Sequence, residues 1–179
     1  MSNLEIIDEW LPQDIYELLR HHCDHISFDG VENPADGVFY PGVSVDIPQT
    51  VLQFFGRPKC IFMRLSLAGV PTPHQAHTDK LMGRRSLMYY ITRLEHCRGG
   101  TSLVRHKATG MFRNPTTQLE EDYWKRDTNN KAAWEIYEMA EMLPNRAVMF
   151  DADLMHRAEP VGGFGTSPKD GRLVLTAFY

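Results

Sequence analysis

The sequence predicts a mostly β (α+β) fold, a sandwich or barrel-like jelly roll, with a helix in front and a helical insertion late in the sheet. Three observations predict it. Five short segments rich in Val, Leu, Ile, Phe, Tyr and Met occupy residues 60–67, 86–92, 101–106, 146–150 and 172–178. Each is bounded by Gly or Pro punctuation, which marks strands, and short strands in this number suit a sandwich or jelly roll. Ahead of them, Leu11, Ile15, Leu18 and Leu19 recur at helical spacing. Between the third and fourth segments lies a longer stretch of helical character.

In chain order, the first helix spans 11–22, with Pro12 suited to a first turn. It is amphipathic and needs a flatter partner. Residues 30–42 are turn-rich and carry Pro34 and Pro41, so an irregular connection ends in a strand near 43–47. The β segments follow. The insertion, about 115–144, breaks at Asp127-Thr128-Asn129-Asn130, and its second half repeats Ala133, Tyr137 and Ala140 on one helical face.

Length and composition bound the function. A chain of 179 residues favours one domain, 1–179. Size scaling gives ~9,000 Å² of folded surface against ~30,000 Å² extended, enough burial for a core without staples. The net charge of −4 gives no support to a general nucleic-acid or membrane-surface binder. Three scattered cysteines with no Cys-x-x-Cys argue against a disulfide framework. No apolar stretch suits a signal peptide or a membrane span. A soluble, cytoplasmic protein is expected.

The chemistry centres on Pro73-His-Gln-Ala-His-Thr-Asp-Lys. His77 and Asp79 are two apart, so on a strand both side chains leave one face. A third metal ligand has to come from elsewhere in the sheet, and His156, after a strand-like run, is the best candidate. Two histidines and one carboxylate leave open positions on an octahedron, which suits non-haem Fe(II), whereas structural zinc is usually closed by four protein ligands. The His-x-Asp pair alone is weak evidence in a chain with eight histidines. Three features strengthen it. Arg172 opens an otherwise apolar strand and needs an anionic partner, to which its planar fork is suited, and Thr176 shares its face. Gly99-Gly100-Thr101 precedes a strand. Tyr90 ends another and offers a phenol.

The ordered set His77-x-Asp79, Tyr-Tyr-Ile, Gly-Gly-Thr, Phe150-Asp-x₄-His156, Glu159-Pro160-Val161 and Gly171-Arg172-Leu173 resembles the Fe(II)/2-oxoglutarate-dependent oxygenases. It is most similar to their prolyl-hydroxylase-like branch. The resemblance implies a double-stranded β-helix with His77, Asp79 and His156 on the iron. It implies that Arg172 pairs with the distal carboxylate of 2-oxoglutarate, helped by Tyr90 and Thr176. It also implies O₂ as oxidant, with ascorbate in the cofactor set. The implied reaction couples decarboxylation of 2-oxoglutarate to hydroxylation of a C–H bond. Because Asp79 fills the position that a related halogenase leaves open for chloride, hydroxylation is implied over halogenation. The substrate implied first is a peptidyl side chain such as proline, and a free amino acid or other small molecule comes second. Nucleic acid is disfavoured, since Phe178 stands where the demethylase branch has a second arginine. The chain departs from the pattern in a long, glycine-rich gap from His156 to Arg172, and in the 115–144 insertion.

Structural alternatives stand beside these readings. His77 and Asp79 could lie in a surface turn. His74, odd-spaced from His77, is assigned to solvent or to a supporting role. His21, His22 and His25 suit a polar helix face better than a metal site, and Asp151 and Asp153 suit a turn. Trp124, Trp134 and Tyr137 could stack a ligand but fit the buried side of the insertion. A jelly roll can also be a non-catalytic binding module, although such a module has no reason to keep the ligand set and Arg172 in order.

Overall fold

The computed structural model describes residues 2–32 and 37–179; Pro34 of the turn-rich stretch lies outside the described residues. The strands are β1 (Glu5–Ile7), β2 (Val31–Glu32), β3 (Phe39–Tyr40), β4 (Val43–Ser44), β5 (Cys60–Ser66), β6 (Arg85–Tyr90), β7 (Gly100–His106), β8 (Trp134–Glu141), β9 (Ala147–Asp151), β10 (His156–Glu159) and β11 (Arg172–Phe178). The α-helices are α1 (Gln13–Cys23), α2 (Gln49–Leu52) and α3 (Gln118–Asp127).

A six-stranded sheet in the order β1-β9-β6-β11-β5-β4 faces a three-stranded sheet β10-β7-β8, while β2 and β3 form a small ribbon. All pairings are antiparallel. The result is the expected jelly roll, mostly β. Side-chain alternation along the large sheet builds two cores. Leu173, Leu175 and Ala177 of β11 and Leu87 and Tyr89 of β6 pack outward with Leu11, Tyr16, Leu19 and Cys23 in and beside α1. The intervening Val174, Met88 and Tyr90 point inward, with Val148 and Phe150, against Leu103 and Ala140 of the small sheet. Burial on both faces explains why β6 and β11 read as continuous apolar runs rather than alternating ones.

The helical expectation for the second half of the insertion is wrong. Residues 134–141 are β8, paired to β7 from Gly100↔Glu141 to His106↔Trp134. The register slips between Leu103 and Val104, which pair with Glu138 and Ile136, so Tyr137 is an extra residue on β8. A bulge of this kind breaks the two-residue period, and the broken period imitated helical spacing at Tyr137 and Ala140, with Ala133 ending a 3₁₀ turn just before the strand. The first half is helical as α3, with a capping box in which Thr117 and Glu120 satisfy each other's backbone N–H. Near 43–47 only Val43 and Ser44 are strand. The sequence predicts no strands at β1, β8 or β10, nor at β2 and β3, which pair within the stretch expected to be irregular. Among the described residues no helix is long and apolar enough to cross a membrane.

Candidate metal centre

Residues 71–80 form a loop, not the strand assumed for His77 and Asp79. The loop meets the barrel at one isolated bridge, where His77 N–H donates to His156 O (3.0 Å) and His156 N–H donates to His77 O (2.9 Å). Two residues on, Asp79 N–H donates to Ala152 O at 2.8 Å. The outer side is clamped by the turn after α3. The Thr128 hydroxyl and Trp124 indole both donate to Ala76 O (2.7 and 2.9 Å), and Ala76 N–H donates to Thr128 O. The predicted break at Asp127-Thr128-Asn129-Asn130 therefore holds the loop that presents His77.

The three predicted metal ligands come together. One ligand atom from each of His77, Asp79 and His156 lies within 4.8 Å of the others. His77 Nε2 is 3.6 Å from Asp79 Oδ1, and His156 Nε2 is 3.3 Å from Asp79 Oδ2. Each imidazole is oriented by its other nitrogen: His77 Nδ1 contacts Gln75 O at 3.1 Å and His156 Nδ1 contacts Leu154 O at 2.9 Å. With Nδ1–H donating to those carbonyls, both Nε2 lone pairs face the centre, the arrangement found behind metal-ligating histidines. The Ser86 hydroxyl donates to Asp79 Oδ2 at 2.7 Å and fixes the carboxylate.

The electrostatics ask for a cation. Burial, reinforced by His156, pushes the His77 pKa down to about 4. Burial also penalises the Asp79 charge, but the imidazoles and Ser86 outweigh it and hold Asp79 at about 2. For His156 burial is outweighed by Asp79, so its pKa rises. His156 Nε2 is buried and, though near Asp79, is aligned for no hydrogen bond. Two imidazole nitrogens and a carboxylate, one of those nitrogens buried and unsatisfied, fit a divalent first-row metal, Fe(II) among them.

Arg172, Val174 and Thr176 share the inner face of β11. Arg172 is 4% exposed and pairs with no carboxylate among the described residues. Its Nη2 donates to Gly100 O at 3.3 Å, and its Nε has no partner. Burial, against the pull of Tyr90, lowers its pKa to about 10, leaving it charged at neutral pH. Gly100 is required here: its φ is 154°, and a Cβ would stand 1.9 Å from Ala140 O. The Tyr90 hydroxyl donates to Thr101 Oγ1 at 2.8 Å, and Thr176 Oγ1 lies 3.5 Å from Met88 Sδ. Neither hydroxyl hydrogen-bonds to Arg172.

Other candidates fall outside the centre. The rings of His21, in the last turn of α1, and His25, just beyond the helix, stack 4.4 Å apart. Asp151 and Asp153 pair with Arg113, and Lys80 also holds Asp153. Trp134 is buried, its indole donating to Asp127 O. His74 lines the same cleft as His77 and Arg172, with its ring 5.7 Å from Trp124. Sequence reasoning missed two residues. Ser86 gave no signal. Arg64 did, as a lone charge in the strand Cys-Ile-Phe-Met-Arg-Leu-Ser, and it lines the cleft too.

The fold has solved counterparts. AviO1 from Streptomyces viridochromogenes Tue57 is similar at TM-score 0.56 and 10% identity, over 99% of this chain and 90% of that one. EvdO2 from Micromonospora carbonacea var. aurantiaca, complexed with 2-oxoglutarate, is similar at TM-score 0.51 and 14% identity, over 97% and 84%. The epimerase SnoN, in complex with Fe3+, alpha-ketoglutarate and nogalamycin RO, is similar at TM-score 0.51 and 9% identity, over 98% and 78%. No family model and no curated sequence matches the chain. At these identities the likeness defines a fold, the double-stranded β-helix that the resemblance implies.

Proposed function

We propose that the 179 residues form one catalytic unit, a cytoplasmic Fe(II)- and 2-oxoglutarate-dependent dioxygenase that hydroxylates a C–H bond. The observation that carries this reading is the shared cleft: His77 and Arg172 line one wall system, and His77, Asp79 and His156 converge on one point. A metal-binding trio beside a buried, carboxylate-free guanidinium suits a metal-chelating diacid. Solved proteins of this fold that hold 2-oxoglutarate support it.

In this reading His77 and His156 hold the metal through Nε2 and Asp79 through its carboxylate. The bound iron, with 2-oxoglutarate and O₂, supplies an oxidative decarboxylation that yields succinate and CO₂ and hydroxylates the substrate. The Gln75 and Leu154 carbonyls and Ser86 keep the ligands oriented before the metal arrives. Arg172 binds the far carboxylate, and Gly100 O orients its fork. Tyr90 and Thr176 shape the inner wall around that carboxylate. The chain's own part is to position reactants and exclude water, helped by the apolar packing of Met88, Tyr90 and Val174 on the inner faces of β6 and β11.

A peptidyl side chain, proline first, is the substrate class the resemblance implies. The charge of the cleft favours a free small molecule instead, for the reason developed below. Anaerobic addition of Fe(II) and 2-oxoglutarate tests the oxygenase reading through the weak visible metal-to-ligand charge-transfer band. His77→Ala should abolish the band and Arg172→Ala should weaken it. A folded, iron-loaded protein without a band would favour a binding module.

A further inference from the structure

Arg64 sits on β5 directly opposite Val174, the residue between Arg172 and Thr176. Cross-strand partners point to the same side of a sheet, and Met63 and Leu65 fill the outer core. Phe62, Arg64 and Ser66 therefore share the inner face with Arg172, and Arg64 and Ser66 line the cleft with Thr72, His77 and Gly163. That cleft encloses about 50 Å³ behind a mouth open to solvent. The glycine-rich gap after His156 forms its opposite wall, where Gly163 approaches Ser66 so closely that a Cβ would lie 2.5 Å from Ser66 O.

No carboxylate among the described residues pairs with Arg64; its guanidinium carbon lies 5.9 Å from the centre of the Tyr40 ring. Burial lowers its pKa, and its charge in turn depresses those of His77 and Arg172. The charge balance of the loaded cleft then leaves a remainder. Fe(II), Asp79, Arg64 and Arg172 together carry three net positive charges, and Arg157 and Glu159 cancel each other in their own ion pair. 2-Oxoglutarate removes two. One guanidinium stays uncompensated in a partly desolvated site, a costly state unless an anion fills it.

We infer that Arg64, with the Ser66 and Thr72 hydroxyls beside it, recognises a carboxylate on the prime substrate, which is therefore a small free acid and not a neutral residue inside a peptide. The inference rests on the oxygenase reading. It assigns the two arginines different anions: Arg172 the far end of 2-oxoglutarate, Arg64 the substrate.

Two measurements test it. Calorimetry of 2-oxoglutarate on the Mn(II)-loaded protein should give Arg64→Gln an affinity within about threefold of wild type, whereas Arg172→Gln should lose roughly tenfold or more. Next, the anaerobic Fe(II)·2-oxoglutarate protein is titrated with free L-amino acids, their primary amides and a capped prolyl peptide, following the charge-transfer band. At least one free acid should shift the band while its amide and the peptide do not. Arg64→Gln should weaken that shift by roughly tenfold or more, and Arg64→Lys should restore part of it. A band shift by the capped peptide or the amides, no shift by any acid, or loss of 2-oxoglutarate by Arg64→Gln would overturn the assignment. A wild-type protein with neither band nor binding heat would defeat the oxygenase reading itself, and the inference with it. The Lys variant keeps the test open if Gln at 64 impairs folding.

Discussion

His77 and His156 are partners across a single antiparallel bridge, 79 residues apart in sequence, with their rings 4.4 Å apart and their Nε2 atoms facing the same Asp79 carboxylate. The two hydrogen bonds of that bridge tie a loop to a strand, so the metal centre depends on barrel closure and not on any local motif. This dependence shapes what the protein should do when perturbed.

Ser86→Ala removes the side-chain hydroxyl that fixes Asp79 and leaves every metal ligand in the sequence. Metal affinity should fall by roughly tenfold, the lower end of what outer-shell partners contribute. Mn(II) titration followed by electron paramagnetic resonance measures it; unchanged affinity would show that the bridge alone orients the carboxylate.

Arg172→Leu should act in opposite directions on stability and binding. The ligand-free protein keeps a guanidinium buried with one 3.3 Å hydrogen bond and an unsatisfied Nε. Replacing it with an apolar side chain removes that cost, so melting temperature without ligand should rise. Stabilisation by added 2-oxoglutarate should shrink in the variant, by about 1.4 kcal/mol for a tenfold loss of affinity. A variant that melts lower without ligand would mean that Gly100 alone satisfies the charge.

Gly100→Ala meets both a positive φ and a backbone oxygen 1.9 Å from the new Cβ. The β7–β8 pairing must open to admit it, at a cost of about 3 kcal/mol or more. Urea unfolding should detect the loss, with 2-oxoglutarate binding weakened because Gly100 O also orients Arg172.

Asp127 provides the acid-side signature. Its contact with Arg126, helped by His106, holds its pKa at about 2, below the ordinary 3.8. A depressed folded pKa stabilises above the unfolded value, and the gain disappears as pH falls through the folded one. Asp127→Asn should therefore be less stable than wild type at neutral pH, by about 1 kcal/mol because Arg126 is solvent-screened. The gap should hold down to about pH 4 and close towards pH 2, as thermal melts across that window will show. A gap that persists at pH 2 would locate the effect in packing around Trp134.

Much of the fold was legible because strands buried on both faces leave dense apolar runs, as in β6 and β11, and because glycine and proline mark their ends. The 134–141 segment was misread for a physical reason: the bulge at Tyr137 breaks the two-residue period and leaves a helix-like spacing to Ala140. Strands β1 and β10 were invisible, since three or four residues with mixed polarity carry no period. Arg64 carried the same signal as Arg172, a single charge in an apolar strand, but only its pairing opposite Val174 says which way it points.

The amino-acid order by itself determined which residue types were available: two histidines and an aspartate in a spaced pattern, an arginine opening the last strand, and a glycine pair before β7. These are chemical facts that survive any arrangement of the chain. Only the tertiary structure decided that His77 meets His156 from a loop, that Ser86 holds Asp79, and that two arginines rather than one face the cleft. Those relations join residues far apart in sequence through strand register and barrel closure, and no local preference of the chain encodes a distance between segments that have yet to pair.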